Sequence, residues 1–234
     1  MKRKIILTAD GSTTIHLPEW NEQYHSKHGA IQEAYHVFIK HGLHYFYHSV
    51  TERSGQEFEN SNSNIAILEM GFGTGLNAFI TLLEAKKLKI KIDYMGIEAF
   101  PVEIDEVLSL NYPKALNVKG GDAVFKGLHS ISWEERHNID SFFSLAKQKK
   151  YFETIDDEDK FNIIYFDAFG ARVQPGLWTK VIFKKMYDAL KVNGILVTYS
   201  AKGSVRRAMQ GVGFKVEKLP GPPGKREMLR AVKY

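Results

Sequence analysis

The chain of 234 residues has no cysteine, which excludes disulfides and thiolate metal sites and leans toward a reducing compartment. Long apolar runs are also missing. Met1-Lys-Arg-Lys4 carries the charge of a signal n-region, but only Ile5-Ile6-Leu7 follows before Asp10-Gly11, too short for an h-region. No stretch approaches membrane-spanning length, so the expectation is a cytoplasmic protein without a membrane partner. There are no internal repeats, and low complexity is confined to Ser54–Asn64, rich in Ser, Asn, Gln and Gly, which reads as a linker. What is present, 44% hydrophobic and 25% charged residues, suits one globular domain with an appendage.

The most informative segment is Ile65-Ala-Ile-Leu-Glu69-Met-Gly71-Phe-Gly73-Thr74-Gly75-Leu-Asn77. An apolar run ends in an acid, three glycines alternate with other residues, and a helix-forming stretch begins. This is a buried strand, a tight turn and a helix whose N-terminus faces a ligand. The dinucleotide frame G-x-G-x-x-G fails because Leu76 stands at its last position, and a P-loop would need Gly-Lys-Ser/Thr. An acid two residues before alternating glycines instead resembles the first motif of S-adenosyl-L-methionine (SAM) methyltransferases. SAM has no phosphate, and Glu69 at the strand end suits the ammonium of its methionine tail, directly or through water.

Alternating strands and helices follow. Strands are expected at 65–70, 92–98, 115–119, 161–167, 194–199, 213–218 and 228–233. Helices are expected near 75–88, 101–110, 139–149, 176–191 and 204–211. This pattern predicts an α/β fold, Rossmann-like, with a mostly parallel seven-stranded sheet and helices on both faces. Its ligand belongs beyond the carboxyl ends of the strands, where their order switches. The methyltransferase domain is expected over 61–234. Residues 1–60 are expected to hold an N-terminal appendage: a hairpin (Ile5–Ala9, Asp10-Gly11, Thr13–Leu17), a helix over Gly29–His41, and the linker.

Strand ends supply the candidate chemistry. Glu98 closes the second strand about twenty residues after the glycine turn, where a carboxylate takes both ribose hydroxyls. Asp122, after the strand expected at 115–119, is placed to receive the adenine amino group. Asp167 ends the apolar run Phe161-Asn-Ile-Ile-Tyr-Phe166, where an aspartate carries a desolvation cost unless it is paired or useful. Facing the methyl donor, it would orient and help deprotonate an amine, with Phe169 as a stacking surface; a structural aspartate is the plainer reading.

Charge is uneven. Net charge is +5, yet from Ala201 onward nine Lys/Arg against two Glu leave +7, so the remainder is −2. A basic segment on a near-neutral body suggests a polyanionic partner. Seven of nine histidines fall between His16 and His48. His41, His44 and His48 could share a helical face, read as a solvated or RNA-facing stripe; no metal site is expected.

Several stretches resemble the methyltransferase part of the bacterial bifunctional enzymes that complete 5-methylaminomethyl-2-thiouridine at the tRNA wobble position. They are Asn21-Glu-Gln-Tyr24-His-Ser26, Met70–Asn77, Glu98-Ala-Phe-Pro101, Asp167-Ala-Phe-Gly170, Pro175-Gly-Leu-Trp178, Gly203-Ser-Val-Arg206-Arg207 and Gly224-Lys-Arg-Glu-Met-Leu229. Two departures stand out. The family's FAD-dependent oxidoreductase domain would begin where this sequence ends, so the chain resembles a stand-alone version. After the aspartate, the usual Gly-Phe-Ala-Pro is replaced by Ala168-Phe169-Gly170-Ala171.

The resemblance implies N-methylation of an aminomethyl group on C5 of a wobble uridine, with SAM as cofactor and a separate FAD-dependent oxidoreductase upstream. It implies cofactor contacts from Gly71, Gly73, Thr74, Gly75, Asn77, Tyr24 and Ser26, beside Glu69, Glu98 and Asp122, and catalysis by Asp167 with Phe169. The anticodon loop of tRNA is the expected partner, met by Lys202, Arg206, Arg207, Lys225, Arg226 and Trp178. Competing readings are a small-molecule methyltransferase, an aminopropyltransferase of the spermidine-synthase type, and a silent tRNA-binding module.

Overall fold

The computed structural model describes residues 2–54 and 64–234. Between its ends, the expected linker Ser54–Asn64 lies outside the described residues. The chain opens with a three-stranded antiparallel sheet, β1 (Lys4–Leu7), β2 (Thr13–Leu17) and β3 (Glu22–Gln23). β1 and β2 pair from Lys4 opposite His16 to Leu7 opposite Thr13, around the Asp10-Gly11 turn. Asp10 closes that turn by accepting from the backbone N–H of Ser12 and the hydroxyl of Thr8.

A helical segment over residues 30–54 (α1) follows, with a π-helical centre at Tyr35–His44. It packs on the sheet closely enough that a Cβ at Gly42 would stand 3.1 Å from the Tyr165 ring. Two of the three histidines of the expected stripe have partners within the fold, and His48 is exposed. His44 turns to the buried Glu84 at 2.8 Å, and His41 stacks edge-on with His36, centroids 4.8 Å apart.

The main sheet has eight strands in the order β10-β11-β9-β8-β4-β5-β7-β6. Its parallel centre consists of β4 (Ile65–Met70), β5 (Ile92–Ile97), β7 (Phe143–Gln148), β8 (Phe161–Phe166) and β9 (Leu190–Thr198). Short β6 (Arg136–Asn138) runs antiparallel on one edge. On the other edge β11 (Glu227–Val232) is antiparallel to β9, and β10 (Lys215–Pro220) to β11. Central strands such as IAILEM and FNIIYF are buried on both faces, as near-continuous apolar runs require.

Two cores cover the sheet. One joins α1, α2 (Leu76–Leu88) and the helix Gly121–Ser130; the other joins the helices Lys180–Ala189 and Gly203–Gln210.

Two sequence assignments are overturned. The strand expected at 115–119 is absent: Tyr112–Ala115 is a short helix with proline in its first turn, and Asn117 turns at φ 52°. The third parallel strand is instead β7, within the span expected as the helix 139–149. Its FSLAKQ has a lysine at an inward position, Lys147, which is 1% exposed. That lysine obscures the strand pattern, and the fold accommodates it by letting Nζ donate to the His129 carbonyl at 2.8 Å beside the Trp133 ring. An eighth strand, β6, extends the expected seven.

Strand order reverses between β4 and β8: β4 has its sequence neighbour β5 on one side and β8 on the other. The crevice beyond their carboxyl ends is therefore the position for a ligand.

Candidate active site

A cavity of about 900 Å³ opens at that crevice. One end is lined by the turn after β4 (Gly71, Phe72, Gly73), the end of β5 (Glu98, Ala99, Phe100) and the segment after β7 (Tyr151, Phe152, Glu153). The other end is lined by the N-terminal appendage, the loop after β8, Tyr199 and the loop between β10 and β11.

The glycine turn is shaped by close approach. Gly71 has φ 95°, and a Cβ there would stand 2.8 Å from the carbonyl oxygen of Asp167. The turn and the end of β8 can touch only if this residue lacks a side chain. Gly73, φ 47°, lies under the Tyr24 ring, where a Cβ would be 3.0 Å from the nearest ring carbon. Glu98 braces the same turn, accepting from Gly73 N–H at 3.0 Å and from Phe100 N–H at 2.9 Å.

Asp167 sits one residue beyond β8 and faces the cavity. Burial pushes its carboxyl up to about 7, and the neighbouring Glu33 carboxylate pushes the same way, against the Asn77 hydrogen bond and Lys225. Asn77 Nδ2 donates to Asp167 Oδ2 at 2.8 Å. Phe169 meets Trp20 and Tyr24 edge-on, at centroid distances of 5.6 and 5.0 Å, so three aromatic rings frame the approach to Asp167. Burial raises the Tyr24 hydroxyl to about 12, so it remains a neutral phenol. Arg172 ties the appendage to the loop after β8, donating to the carbonyls of Trp20 and Asn21 and to Glu22.

Of the residues expected at the cofactor, Gly71, Gly73, Glu98, Tyr24 and Ser26 line the cavity with Asp167 and Phe169. Four others stand behind the wall. Thr74 is fully buried, its hydroxyl bonded to His25 Nε2 and the Tyr112 hydroxyl. Burial lowers His25 to about 4, so that imidazole is neutral. Gly75 faces His129 rather than the cavity. Asn77 and Glu69, 2% and 1% exposed, are bonded to each other at 2.9 Å. Glu69 therefore stands one layer behind the cavity wall, so of the two expected routes to a methionine tail, direct or through water, the direct one is closed. Burial, foremost, raises the Glu69 carboxyl well above its usual value, and its Oε2 lacks a partner among the described residues.

Asp122 is corrected outright. It is an exposed residue in the first turn of Gly121–Ser130, away from the cavity, because the strand expected before it does not form. The place beyond the third parallel strand belongs to Tyr151, Phe152 and Glu153.

Among the expected RNA contacts, Lys202, Arg207 and Arg226 are exposed, and Arg206 is half-buried with an unpartnered Nε. Lys225 turns inward, ion-paired with Glu33 and 3.8 Å from the Tyr199 ring centroid. Trp178 is 5% exposed within the second core, its Nε1 donating to the Phe169 carbonyl at 2.8 Å. It supports Phe169 from behind and offers no face to a base.

Sequence reasoning missed Trp20, Glu33, Glu153, Arg172 and Tyr199 in this cavity. Only Glu33 carried a signal: a carboxylate on the otherwise apolar stripe Ala30, Ala34, Val37, Phe38.

Residues 120–234 match a family described as S-adenosyl-L-methionine-dependent methyltransferase. The chain is 27% identical over 241 residues to the tRNA 5-methylaminomethyl-2-thiouridine biosynthesis bifunctional protein MnmC of Leptospira interrogans, covering 96% of this chain and 34% of that protein. The protein of the same name from Marinomonas sp. is 27% identical over 228 residues, covering 91% and 31%. The chain thus spans about a third of the length of these curated relatives. Among solved structures, MnmC2 from Aquifex aeolicus superposes with a TM-score of 0.73 at 24% identity, covering 98% of this chain and 69% of that one. Spermidine synthase from Thermotoga maritima gives a TM-score of 0.55 at 11% identity, covering 99% and 68%.

The fold is that of the SAM-dependent methyltransferases, and SAM is the cofactor against which the cavity is tested. Its residues fit that group. Glu98 lines the cavity with a carboxylate able to accept from ribose hydroxyls, the glycine turn brings the backbone close to it, and Phe100 and Tyr151 offer apolar faces of the kind a purine stacks on.

Proposed function

We propose that this chain N-methylates the primary amine of a 5-aminomethyl group on a wobble uridine of tRNA. The observation that carries this reading is Asp167: a cavity-facing carboxylate raised to about 7, at the switch point of the sheet, framed by Trp20, Tyr24 and Phe169. The names of the similar bifunctional proteins support the same substrate. Two units, a methyltransferase body over 61–234 and an appendage over 1–60, suit this division of labour, because the appendage supplies cavity wall.

SAM, when bound, supplies an electrophilic methyl carbon: the amine lone pair forms the new N–C bond while the C–S pair leaves to sulfur. Glu98 and the Gly71–Gly73 turn would hold the nucleoside part, with Tyr24 and Ser26 closing over it. Tyr151 and Glu153, beyond the third parallel strand, would take the adenine end. Glu69 and Asn77 would set the charge and aim of Asp167 from behind.

The amine must lose its proton before it attacks the methyl carbon. A primary alkylammonium loses its proton near pH 10, and an ordinary aspartate near 4 is a poor acceptor. With Asp167 at about 7 the mismatch falls to about three pH units, so Asp167 can hold the proton while the lone pair is aimed. The three aromatic rings would position an unstacked base, and positioning supplies most of the acceleration.

The exposed Lys202, Arg207 and Arg226, with the half-buried Arg206, would meet anticodon-loop phosphates. Two further expectations join this reading: a cytoplasmic location, and a separate FAD-dependent oxidoreductase that supplies the aminomethyl substrate. Among the described residues no helix is long and apolar enough to cross a membrane.

Labelled methyl transfer to tRNA bearing 5-aminomethyl-2-thiouridine, followed by nucleoside digestion, tests the proposal. Label in the methylaminomethyl nucleoside supports it; SAM binding without label refutes it. The likeness to spermidine synthase favours one second reading, aminopropyl transfer, which requires preference for decarboxylated SAM over SAM.

A further inference from the structure

Within the cavity, one cation is held between a buried carboxylate and an aromatic face. Glu33, on the first turn of α1, is 5% exposed, and its Oε1 accepts from Ser26 N–H at 3.1 Å. Its Oε2 is ion-paired with Lys225 Nζ, which lies 3.8 Å from the Tyr199 ring centroid. The Tyr199 hydroxyl is anchored elsewhere, donating to the Ala168 carbonyl at 2.8 Å, so the ring face is presented to the cation. An anionic oxygen and an aromatic face around one primary ammonium make a cation site. Glu33, Tyr199, Lys225 and Asp167 all line the same cavity.

Lys225 reaches this site from the edge of the cavity. It lies on the loop between β10 and β11, closed by Gly221 N–H to the Arg226 carbonyl at 3.1 Å and packed over His28. Lys225 also borders a shallower opening with Lys202 and Arg226, so its side chain stands between cavity and basic surface.

We propose that Glu33 and the Tyr199 ring form the seat for the ammonium of the incoming aminomethyl substrate, and that Lys225 holds this seat until the substrate displaces it. The inference rests on the reading above, for which the acceptor is a primary amine. Lysine and an aminomethyl group present the same –CH₂–NH₃⁺ terminus, which is why one can stand in for the other. Once seated, the ammonium faces two carboxylates with different tasks. Glu33 keeps the charge in place, and Asp167 receives one proton, leaving a neutral amine whose lone pair is free. The Glu33 carboxylate also raises Asp167, which makes Asp167 a better proton acceptor than an ordinary aspartate.

The test measures equilibrium binding and methyl transfer on the full chain, with two forms of one tRNA: wobble 5-aminomethyl-2-thiouridine and unmodified uridine. Wild type should bind the aminomethyl form more tightly. Glu33→Gln, which keeps the oxygen facing Ser26, should erase that preference and raise KM at least tenfold, with the Kd for SAM within twofold. Lys225→Met should lower KM several-fold, because the seat is already vacant. The double variant Glu33→Gln/Lys225→Met removes both charges together, so a folding defect from one unpaired buried charge does not blunt the test; it too should lose the preference.

Retention of the preference in Glu33→Gln or in the double variant overturns the proposal. So does Lys225→Met weakening both tRNAs equally with a shallower salt slope, which would make Lys225 a phosphate ligand. If wild type transfers no label at all, the functional reading fails, and the seat is judged separately with ethylammonium at fixed ionic strength. Ethylammonium raising the Tm of Lys225→Ala, but not of Glu33→Gln/Lys225→Ala, upholds the seat without the reading; no rise overturns both.

Discussion

The Asn77 amide bridges two carboxylates, donating from Nδ2 to Asp167 Oδ2 at 2.8 Å and to Glu69 Oε1 at 2.9 Å. A residue of the helix after the glycine turn thus sets the ionisation of a residue after β8. Removing it deletes a hydrogen bond to a buried carboxylate, worth about 1.5–3 kcal/mol. Asn77 lowers Asp167 against the pull of burial, so Asn77→Ala should move the acidic limb of the pH–rate profile to higher pH and reduce turnover at pH 7. An unmoved limb would detach Asn77 from Asp167.

Asp167 itself predicts a pH-dependent stability. Its folded value of about 7 lies above the ordinary 3.8, so the folded chain binds the proton more tightly than the unfolded chain. The ionised form therefore costs stability, starting above about pH 4 and levelling off above about pH 7. Asp167→Asn should stabilise the protein in denaturant titrations more at pH 8 than at pH 5, by a few kcal/mol at most. Equal gains at both pH values would refute the raised value. Asp167→Ala should abolish methyl transfer while SAM affinity survives; loss of both would make the residue structural.

Trp178 should behave as core. Trp178→Ala should cost about 3–5 kcal/mol. The milder Trp178→Phe, which loses only the bond to the Phe169 carbonyl and some volume, should lower turnover more than tRNA affinity. A variant that folds normally yet loses tRNA binding would restore it to the RNA surface.

Arg206 and Arg207 lie on the helix Gly203–Gln210, one half-buried and one exposed. Replacing both with Ala should weaken tRNA binding at low salt and reduce the slope of log K against log salt by about 2. An unchanged slope would place the RNA elsewhere.

Glu98 braces the glycine turn and is the candidate ribose ligand. Glu98→Gln should weaken SAM binding by about tenfold or more, since each lost charge-assisted hydrogen bond is worth on the order of 1.5 kcal/mol or more. Unchanged affinity by calorimetry would leave it only a turn brace.

Strand–turn–helix logic was legible wherever a segment is buried on both faces or forced into a special backbone conformation. Ile65–Met70, Phe161–Phe166, the hairpin around Asp10-Gly11 and the glycines at 71 and 73 are such places. There local chemistry and tertiary structure demand the same residues. Phe143–Gln148 was misread because a buried lysine, tolerable only with the His129 carbonyl and Trp133 at hand, breaks the apolar pattern. The misplaced strand carried Asp122 with it.

By itself, then, the sequence determined the class of fold, the switch-point loop, and the strand-end positions of Glu98 and Asp167, because glycine geometry and strand-end acids are local signals. Tertiary structure alone decided which neighbours act together: that Trp178 is core, that Lys225 turns inward, and that Glu33 from the appendage meets Tyr199 and Lys225 from the far end of the chain. Those contacts join residues nearly two hundred positions apart, and burial and charge pairing over such separations leave no periodicity to read.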